Sequence, residues 1–283
     1  MNNNLMILAA GMSSRMKKSA EVNKKSKVSE QALLKPKMML GVGSNGRPFL
    51  DYLIFNAKKA GYNDILFIVN DKDNTVKNYY SEKKSLPEYE GLKFSFATQK
   101  IAPGRTKPLG TADAVLSGLE IRSDWKGQKF CVCNSDNLYS VNSLKLLLDD
   151  NHPASLIDYD RDALGVEPER VKSFAVIWKD QSSYLADIVE KPNEEQVLKA
   201  TDINQRIGVS MNIFSLDYDI IIPYLKNTPI NSLRDEKELT ETIRMLVSDL
   251  KNSVFTIPLS EPVPDLTTVN DMDDVESFMG LTQ

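Results

Sequence analysis

The chain has 283 residues, 41% hydrophobic and 26% charged, which is typical of a folded globular protein and argues against extended disorder. Its net charge of -4 disfavours nucleic acid or an anionic membrane as a partner, because clustered positive charge dominates both kinds of binding. The chain contains no apolar run of about eighteen residues and no signal-peptide pattern, so we expect a cytoplasmic protein.

The first predicted element is a buried strand, LMILAA at residues 5–10, and GMSSRM follows it. Gly11 permits a positive φ and lets a ligand approach the backbone, while Ser13 and Ser14 add hydroxyl donors. Arg15 adds a fixed cation, and such a loop can form an anion-binding concavity. These residues suit a polyphosphate, and they equally suit an ordinary strand-to-helix turn with an exposed arginine.

The next segment carries seven lysines between Lys17 and Lys37. We interpret it as a mobile, solvated loop. The functional alternative is a basic lid that folds over polyphosphate.

Strand-like and helix-like runs then alternate through the first half of the chain, which predicts an α/β fold with a largely parallel sheet flanked by helices. Ligands of such sheets bind at the carboxyl ends of strands. That rule selects residues 11–15, Gln99 and Asp136 as candidates.

The second half predicts a β-hairpin in SFAVIWKDQSSYLADIVEKP, a strand in IGVSMNIFSL and an amphipathic helix in ELTETIRMLVSDL. We expect Cys131 and Cys133 to be buried free thiols and His152 to be a loop residue, which disfavours zinc and histidine-based catalysis.

Several motifs occur in an order that is informative as a set: LAAGMSSRM, KPKMMLGVG, GRTKPLGTADAV, CNSDN, DIVEKP, VSMNIF and DLTTVND. With them the chain resembles the nucleotidyltransferases that make nucleoside-diphosphate sugars. The resemblance implies a Rossmann-like, mostly parallel mixed sheet with a β-rich sugar-side subregion, in one domain over residues 1–283. Its nucleotide-binding half would span about 1–140 and its acceptor-binding half about 141–283.

The same resemblance implies magnesium-dependent transfer of a nucleotidyl group from a nucleoside triphosphate to a sugar 1-phosphate, with release of pyrophosphate. An oxygen of the acceptor phosphate attacks the α-phosphorus in line with the leaving pyrophosphate. The protein then mainly positions two anions and neutralises their charge.

By motif position, the resemblance assigns nucleotide binding to Ala10, Gly11, Ser13, Ser14, Gln99, Gly110 and Thr111, with Arg15 catalytic. Gln99 would read the base edge, and Gly110 and Thr111 would let base and sugar approach the backbone. The family more often has glycine at Met12 or Ser13, and the SSRM spelling is also similar to molybdenum-cofactor nucleotidyltransferases.

The phosphate-bridging lysine of the family has two candidates here. Lys37 fits by its spacing to Val42, and Lys35 fits because proline follows it. We favour Lys37 for holding the α-phosphate and the attacking phosphate together. Arg105 and Lys107 are further candidates for phosphate contact.

Asp136 matches the magnesium-binding carboxylate, and Asp265 matches the second metal-binding aspartate through its spacing to Thr268. PVP precedes Asp265 where the family often has an aromatic residue.

On the acceptor side, Glu190 and Lys191 match the sugar-site pair, and Ser210 and Asn212 match the family's SMG positions. Asn212 replaces glycine, so it would add a side chain to the sugar pocket.

Other functions fit less well. A NAD-binding oxidoreductase requires GxGxxG and a P-loop kinase requires GxxxxGK[ST], and the loop supplies neither. Two alternatives stay open: an acceptor such as phosphocholine or another small phosphomonoester, and a catalytically silent sensor of nucleotide sugars.

Overall fold

The computed structural model describes residues 3–22, 27–166, 174–202 and 204–281. Strands in these ranges are β1 Asn4–Ala9, β2 Gly41–Val42, β3 Arg47–Pro48, β4 Asp64–Asn70, β5 Lys93–Gln99, β6 Lys129–Asn134, β7 Ala154–Asp160, β8 Ala175–Lys179, β9 Leu185–Val189, β10 Gly208–Ser210, β11 Ile213–Asp217 and β12 Val254–Leu259. The α-helices are α1 Ser14–Val22, α2 Lys27–Leu34, α3 Phe49–Ala60, α4 Thr75–Lys83, α5 Thr111–Ile121, α6 Val141–Asp149, α7 Glu194–Ala200, α8 Tyr218–Asn227, α9 Leu239–Asp249 and α10 Asp271–Phe278.

One mixed sheet runs through both halves of the chain in the order β5-β4-β1-β6-β11-β7-β10-β8-β9, with β12 paired to β7. The neighbours β5, β4, β1 and β6 are all parallel, so their carboxyl ends lie at one edge of the sheet. From β6 onward the pairs along this path are antiparallel, and β12 pairs parallel to β7. The α/β prediction is confirmed, and so is the hairpin formed by β8 and β9.

Apolar side chains from both faces of the sheet pack under helices, which explains why the central strands are apolar along their whole length. One core contains residues of α1, α2, α3 and α6, and the other contains residues of α5, α8 and α9. In β1, Leu5, Met6 and Ile7 are fully buried. This packing fixes the strand ends that carry the site.

The prediction of a mobile lysine-rich loop is wrong for the described part of that segment, which forms α1 and α2. Met16 and Ala20 lie four residues apart on one face of α1, and both are buried in the core. Ala32 of α2 is buried as well. Apolar burial therefore accompanies both helices, and on α1 Lys17 and Lys18 lie exposed on the other face. Residues 23–26 of the segment lie outside the described residues.

The predicted burial of the two cysteines as free thiols and the predicted loop position of His152 are confirmed. Cys131 and Cys133 are buried free thiols, and burial raises the pKa of Cys131 to about 12. His152 lies between α6 and β7, stacked on Phe255 at 4.0 Å between ring centroids. Within the described ranges, no helix is long and apolar enough to cross a membrane.

Candidate active site

A cavity of about 480 Å³ opens where β1, β5 and β6 end. This volume lies in the range of small-molecule sites. The predicted site residues that line it are Ala10, Gly11, Ser13, Ser14, Arg15, Lys37, Gln99, Gly110, Thr111, Asp136, Glu190 and Asn212. Lys191, Ser210 and Asp265 are not among its lining residues.

The loop after β1 takes its shape from Ser13, whose φ of 54° is left-handed. The sequence pointed to Gly11 for a positive φ, yet Gly11 lies outside that region. A Cβ built at Gly11 meets nothing within 4 Å, so the loop is open there. The hydroxyl of Ser13 accepts a hydrogen bond from the Lys37 amide at 3.0 Å, which ties this loop to the segment that follows α2.

Lys37 and Asp136 form an ion pair inside the cavity. Their side chains are only 13% and 21% exposed, so solvent screens the pair less than it screens a surface pair. Lys35 lines a separate cavity together with Arg47 and Lys83. Of the two lysine candidates, Lys37 is therefore the one next to the predicted metal ligand.

The chain around Asp265 runs beside the chain around Asp136. Asn137 forms a β-bridge with Asp265, and the Leu266 amide donates to the Asp136 carbonyl at 2.9 Å. The hydroxyl of Thr267, which lines the cavity, donates to the Asp265 carboxylate at 2.9 Å.

A magnesium ion suits this donor set, because it commonly takes one or two carboxylates and completes its shell with water and substrate phosphates. Asp136 and Asp265 supply two carboxylates from neighbouring backbone segments. In the part of the chain that the structure describes, no group of three or more His, Cys, Asp or Glu side chains is arranged to hold a metal.

The base-side candidates lie on β5 and at the start of α5. Gly110 has a φ of 113°, and a Cβ there would come within 2.4 Å of the Lys237 carbonyl oxygen, so glycine is required by a close backbone approach. Thr111 accepts a hydrogen bond from the Leu239 amide at 2.9 Å. Both residues thus join α5 to the segment that precedes α9.

Residues that the sequence analysis missed form the far end of the cavity: Arg234, Glu236, Glu238 and Thr240. Arg234 pairs with Glu238, which also accepts a hydrogen bond from Asn231 at 2.8 Å. Burial raises the pKa of Glu190, and the neighbouring Glu238 raises it further, while Arg234 and a hydrogen bond from Thr240 oppose the shift. The high density of charged residues in NSLRDEKELT was the feature of the sequence that could have indicated this part of the site.

The loop before α5 clasps this segment, which we call the 231–240 segment. Arg105 donates to the Asp235 carboxylate at 3.0 Å, and Lys107 donates to Glu236 at 2.7 Å. By sequence, both cations are candidates for phosphate contact. Lys107 does line the cavity, whereas Arg105 does not, and both are bonded to this segment.

The three other acceptor-side candidates differ in position. Asn212 lines the cavity with a left-handed φ of 56°, which explains why glycine suits this position. Ser210 is buried, and its hydroxyl accepts a hydrogen bond from the Asn212 amide at 3.2 Å. Lys191 is exposed, so the structure does not bring it to the cavity with Glu190.

The chain is similar to curated proteins of about twice its length. It is 24% identical over 252 residues to the bifunctional protein GlmU of Staphylococcus saprophyticus, covering 88% of this chain and 46% of the relative. It is 22% identical over 271 residues to the bifunctional protein GlmU of Staphylococcus haemolyticus, covering 96% of this chain and 51% of the relative. The chain therefore spans about half the length of these relatives.

Fold similarity extends over almost the whole chain. A crystal structure of UDP-glucose pyrophosphorylase complexed with UDP-glucose superposes with a TM-score of 0.70 at 19% identity, covering 99% of each chain. The family model described as nucleotidyl transferase matches residues 31–275. Because that match takes in most of the chain and the motif-bearing strand ends meet at one cavity, the protein belongs to the nucleotidyl transferase family.

Proposed function

We propose that the chain transfers a nucleotidyl group from a nucleoside triphosphate to a sugar 1-phosphate, releasing pyrophosphate and forming a nucleoside-diphosphate sugar. The observation that carries this proposal is the single cavity lined by the loop after β1, Gln99 and the Lys37–Asp136 pair. Family membership supports the reaction class. UTP is the first nucleotide to test, since the similar crystal structure contains UDP-glucose.

The triphosphate lies against the loop after β1 in this proposal. Ser13, Ser14 and Arg15 supply hydrogen-bond donors and one cation. Gly11 leaves open space beside the backbone, and Ala10 lines the same cavity. Because its guanidinium is positively charged, Arg15 neutralises charge on the leaving pyrophosphate.

Asp136 and Asp265 would hold magnesium, which when bound neutralises phosphate charge and steadies the leaving pyrophosphate. Lys37 starts from its ion pair with Asp136 and donates to the α-phosphate and to the attacking acceptor phosphate. It holds two mutually repelling anions at attack distance, and no covalent nucleophile on the protein is needed.

The acceptor lies toward Glu190 and Asn212, whose oxygen atoms accept hydrogen bonds from sugar hydroxyls. The Ser210 hydroxyl holds Asn212 in place by accepting a hydrogen bond from the Asn212 backbone amide. Four expectations stay predictions from the sequence. They are the place of Lys191 in the sugar site, the two-part domain division near residue 140, the cytoplasmic location, and the absence of nucleic-acid and membrane partners.

The test is pyrophosphate release with magnesium, using four nucleoside triphosphates against a panel of sugar 1-phosphates plus phosphocholine. We expect release that requires one triphosphate and one sugar 1-phosphate and that is lost in Asp136→Asn. Release with phosphocholine alone would replace the sugar acceptor. Nucleotide binding without release in any combination would favour the silent sensor and contradict the proposed enzyme.

A further inference from the structure

Gln99 is the last residue of β5 and is only 2% exposed, yet it lines the cavity. Its side-chain nitrogen Nε2 lies 2.8 Å from the Gly110 carbonyl oxygen and 2.8 Å from Oδ2 of Asp113. A glutamine amide has two N–H donors, so both are used within the protein. Only the carbonyl oxygen Oε1 is left for a ligand.

The two partners of Nε2 also fix which way the amide points. The Gly110 carbonyl and the Asp113 carboxylate are both acceptors. Rotating the amide by half a turn would direct Oε1 at these two oxygens and break both bonds, one of them charge-assisted. Gln99 is therefore held as a hydrogen-bond acceptor toward the cavity.

The elements that hold Gln99 are themselves held in place. Asp113 belongs to the first turn of α5, where the helix dipole favours a carboxylate. Gly110 is pinned by the close approach of the Lys237 backbone. Neither partner of the amide is on a free loop end.

We propose that Asp113 is a positioning residue that locks Gln99 as an acceptor-only reader of the nucleobase. This inference rests on the proposed function, and it narrows the substrate to a triphosphate whose base carries a ring N–H. Uracil, thymine and guanine offer a ring N–H at the centre of the pairing edge, whereas adenine and cytosine have a bare nitrogen there.

The locked amide discriminates against adenine and cytosine for a specific reason. A glutamine that reads either base pairs its carbonyl with the exocyclic amino group and its N–H with the neighbouring bare ring nitrogen. Both N–H groups of Gln99 are committed to Gly110 and Asp113, so that second bond is missing. An unpaired polar group in a buried site costs affinity.

The experiment measures dissociation constants of the full chain for UTP, dTTP, GTP, ATP and CTP by calorimetry, with inorganic tripolyphosphate as a probe without a base. The variants are Asp113→Ala, Gln99→Ala and the double variant. Glu120→Ala is the matched control, because Glu120 is an exposed acidic residue at the far end of the same helix. Asp113→Leu, which has the same number of side-chain heavy atoms and no hydrogen-bond acceptor, replaces Asp113→Ala if that variant does not fold.

We expect the wild type to bind one of UTP, dTTP and GTP most tightly. Asp113→Ala should lower the preference over ATP and CTP by about fivefold or more, the equivalent of one hydrogen bond, with tripolyphosphate binding unchanged. Adding Asp113→Ala to Gln99→Ala should change little more, since Asp113 acts through Gln99. Glu120→Ala should match the wild type.

Three results would overturn the inference: a wild-type preference for ATP or CTP, an unchanged base preference in Asp113→Ala (with or without an equal loss of affinity for all five nucleotides), or additive effects in the double variant. Failure of the proposed function is distinguishable, because the wild type would then release no pyrophosphate with any acceptor. A wild type that turns over while Asp113→Ala keeps its full base preference defeats only the inference.

Discussion

The two ends of the cavity are built differently. At the proposed nucleotide end, Gly11 and Asp136 follow the neighbouring strands β1 and β6, and Gln99 is the last residue of β5, which runs parallel to them in the same sheet. At the proposed acceptor end, beside Glu190, Arg234 and Glu238 come from the 231–240 segment, which is bonded to the loop before α5 by side chains more than 120 residues away in sequence. One end depends on the sheet, and the other depends on long-range polar contacts.

Because the two ends of the cavity are built differently, we expect substitutions at each end to have different effects. A strand end is fixed by a buried core, so a substitution at the nucleotide end alters chemistry with little effect on position. The acceptor end is positioned by partly exposed ion pairs, which contribute modestly and are screened by salt. We therefore expect substitutions at the nucleotide end to reduce kcat and substitutions at the acceptor end to raise acceptor KM.

The strongest test of the nucleotide end is Asp136→Asn. The change keeps the side-chain shape and removes the charge that would hold magnesium, so we expect kcat to fall by roughly 10²–10³. Pyrophosphate release measures this loss, and thermal unfolding checks that the fold is retained. An unchanged rate would remove Asp136 from the chemistry.

Lys37→Ala is expected to have the next largest effect, a loss in kcat of roughly 10². The matched control is Lys35→Ala, since Lys35 lies two residues away and lines another cavity. Steady-state kinetics of both variants gives the comparison. A larger loss in Lys35→Ala would reverse the assignment of the bridging lysine.

The sequence predicted the strand-end part of the site because the motifs stand directly after apolar runs. Gly11, Gln99 and Asp136 needed only the rule that parallel strands end at one edge. Asp265 was reached through motif spacing, and the backbone pairing at Asn137 explains its place.

The rest could not be predicted because its cause lies in distant contacts. Nothing local to NSLRDEKELT shows that Arg105 and Lys107 clasp it, or that Arg234 turns toward Glu238. The prediction of a loop between Lys17 and Lys37 was wrong where α1 and α2 form. The few apolar residues that these helices bury make a weak helical pattern, and the high lysine content of the segment favoured a loop instead. The left-handed backbone conformation in this loop occurs at Ser13 rather than at Gly11, and the local sequence does not indicate that position.

The acceptor end should respond to pH through Glu190. Burial raises its pKa, so Glu190 takes up its proton at a higher pH than an ordinary glutamate does. The protonated form loses the charge that strengthens its hydrogen bonds to the acceptor, so acceptor KM should rise as pH falls through this raised pKa. Glu190→Gln should raise acceptor KM by about tenfold and flatten the profile. A nucleotide dissociation constant that follows the same profile would contradict this assignment.

Removing the ion pair between the loop before α5 and the 231–240 segment is expected to have a smaller effect. Arg105→Gln removes the ion pair with Asp235 and loosens the 231–240 segment, so acceptor KM should rise by about fivefold with kcat nearly unchanged. Arg161→Gln is the control, because Arg161 pairs only with its exposed neighbour Asp162 among the contacts of the described residues. Added salt should mimic Arg105→Gln if the pair is what holds the segment, and a fall in kcat instead would show that Arg105 touches the reacting phosphates.

Asn212 gives the smallest expected effect and separates shape from chemistry at the acceptor end. Asn212→Gly keeps the left-handed backbone at no steric cost, so the melting temperature should stay the same while acceptor KM shifts by about threefold, as for one weak hydrogen bond. Asn212→Ala loses the same side-chain amide and adds about 1 kcal/mol of backbone strain. Equal acceptor KM in both variants, with a lower melting temperature only in Asn212→Ala, would assign acceptor reading to the Asn212 amide; unchanged KM in both would mean that the asparagine serves the turn alone.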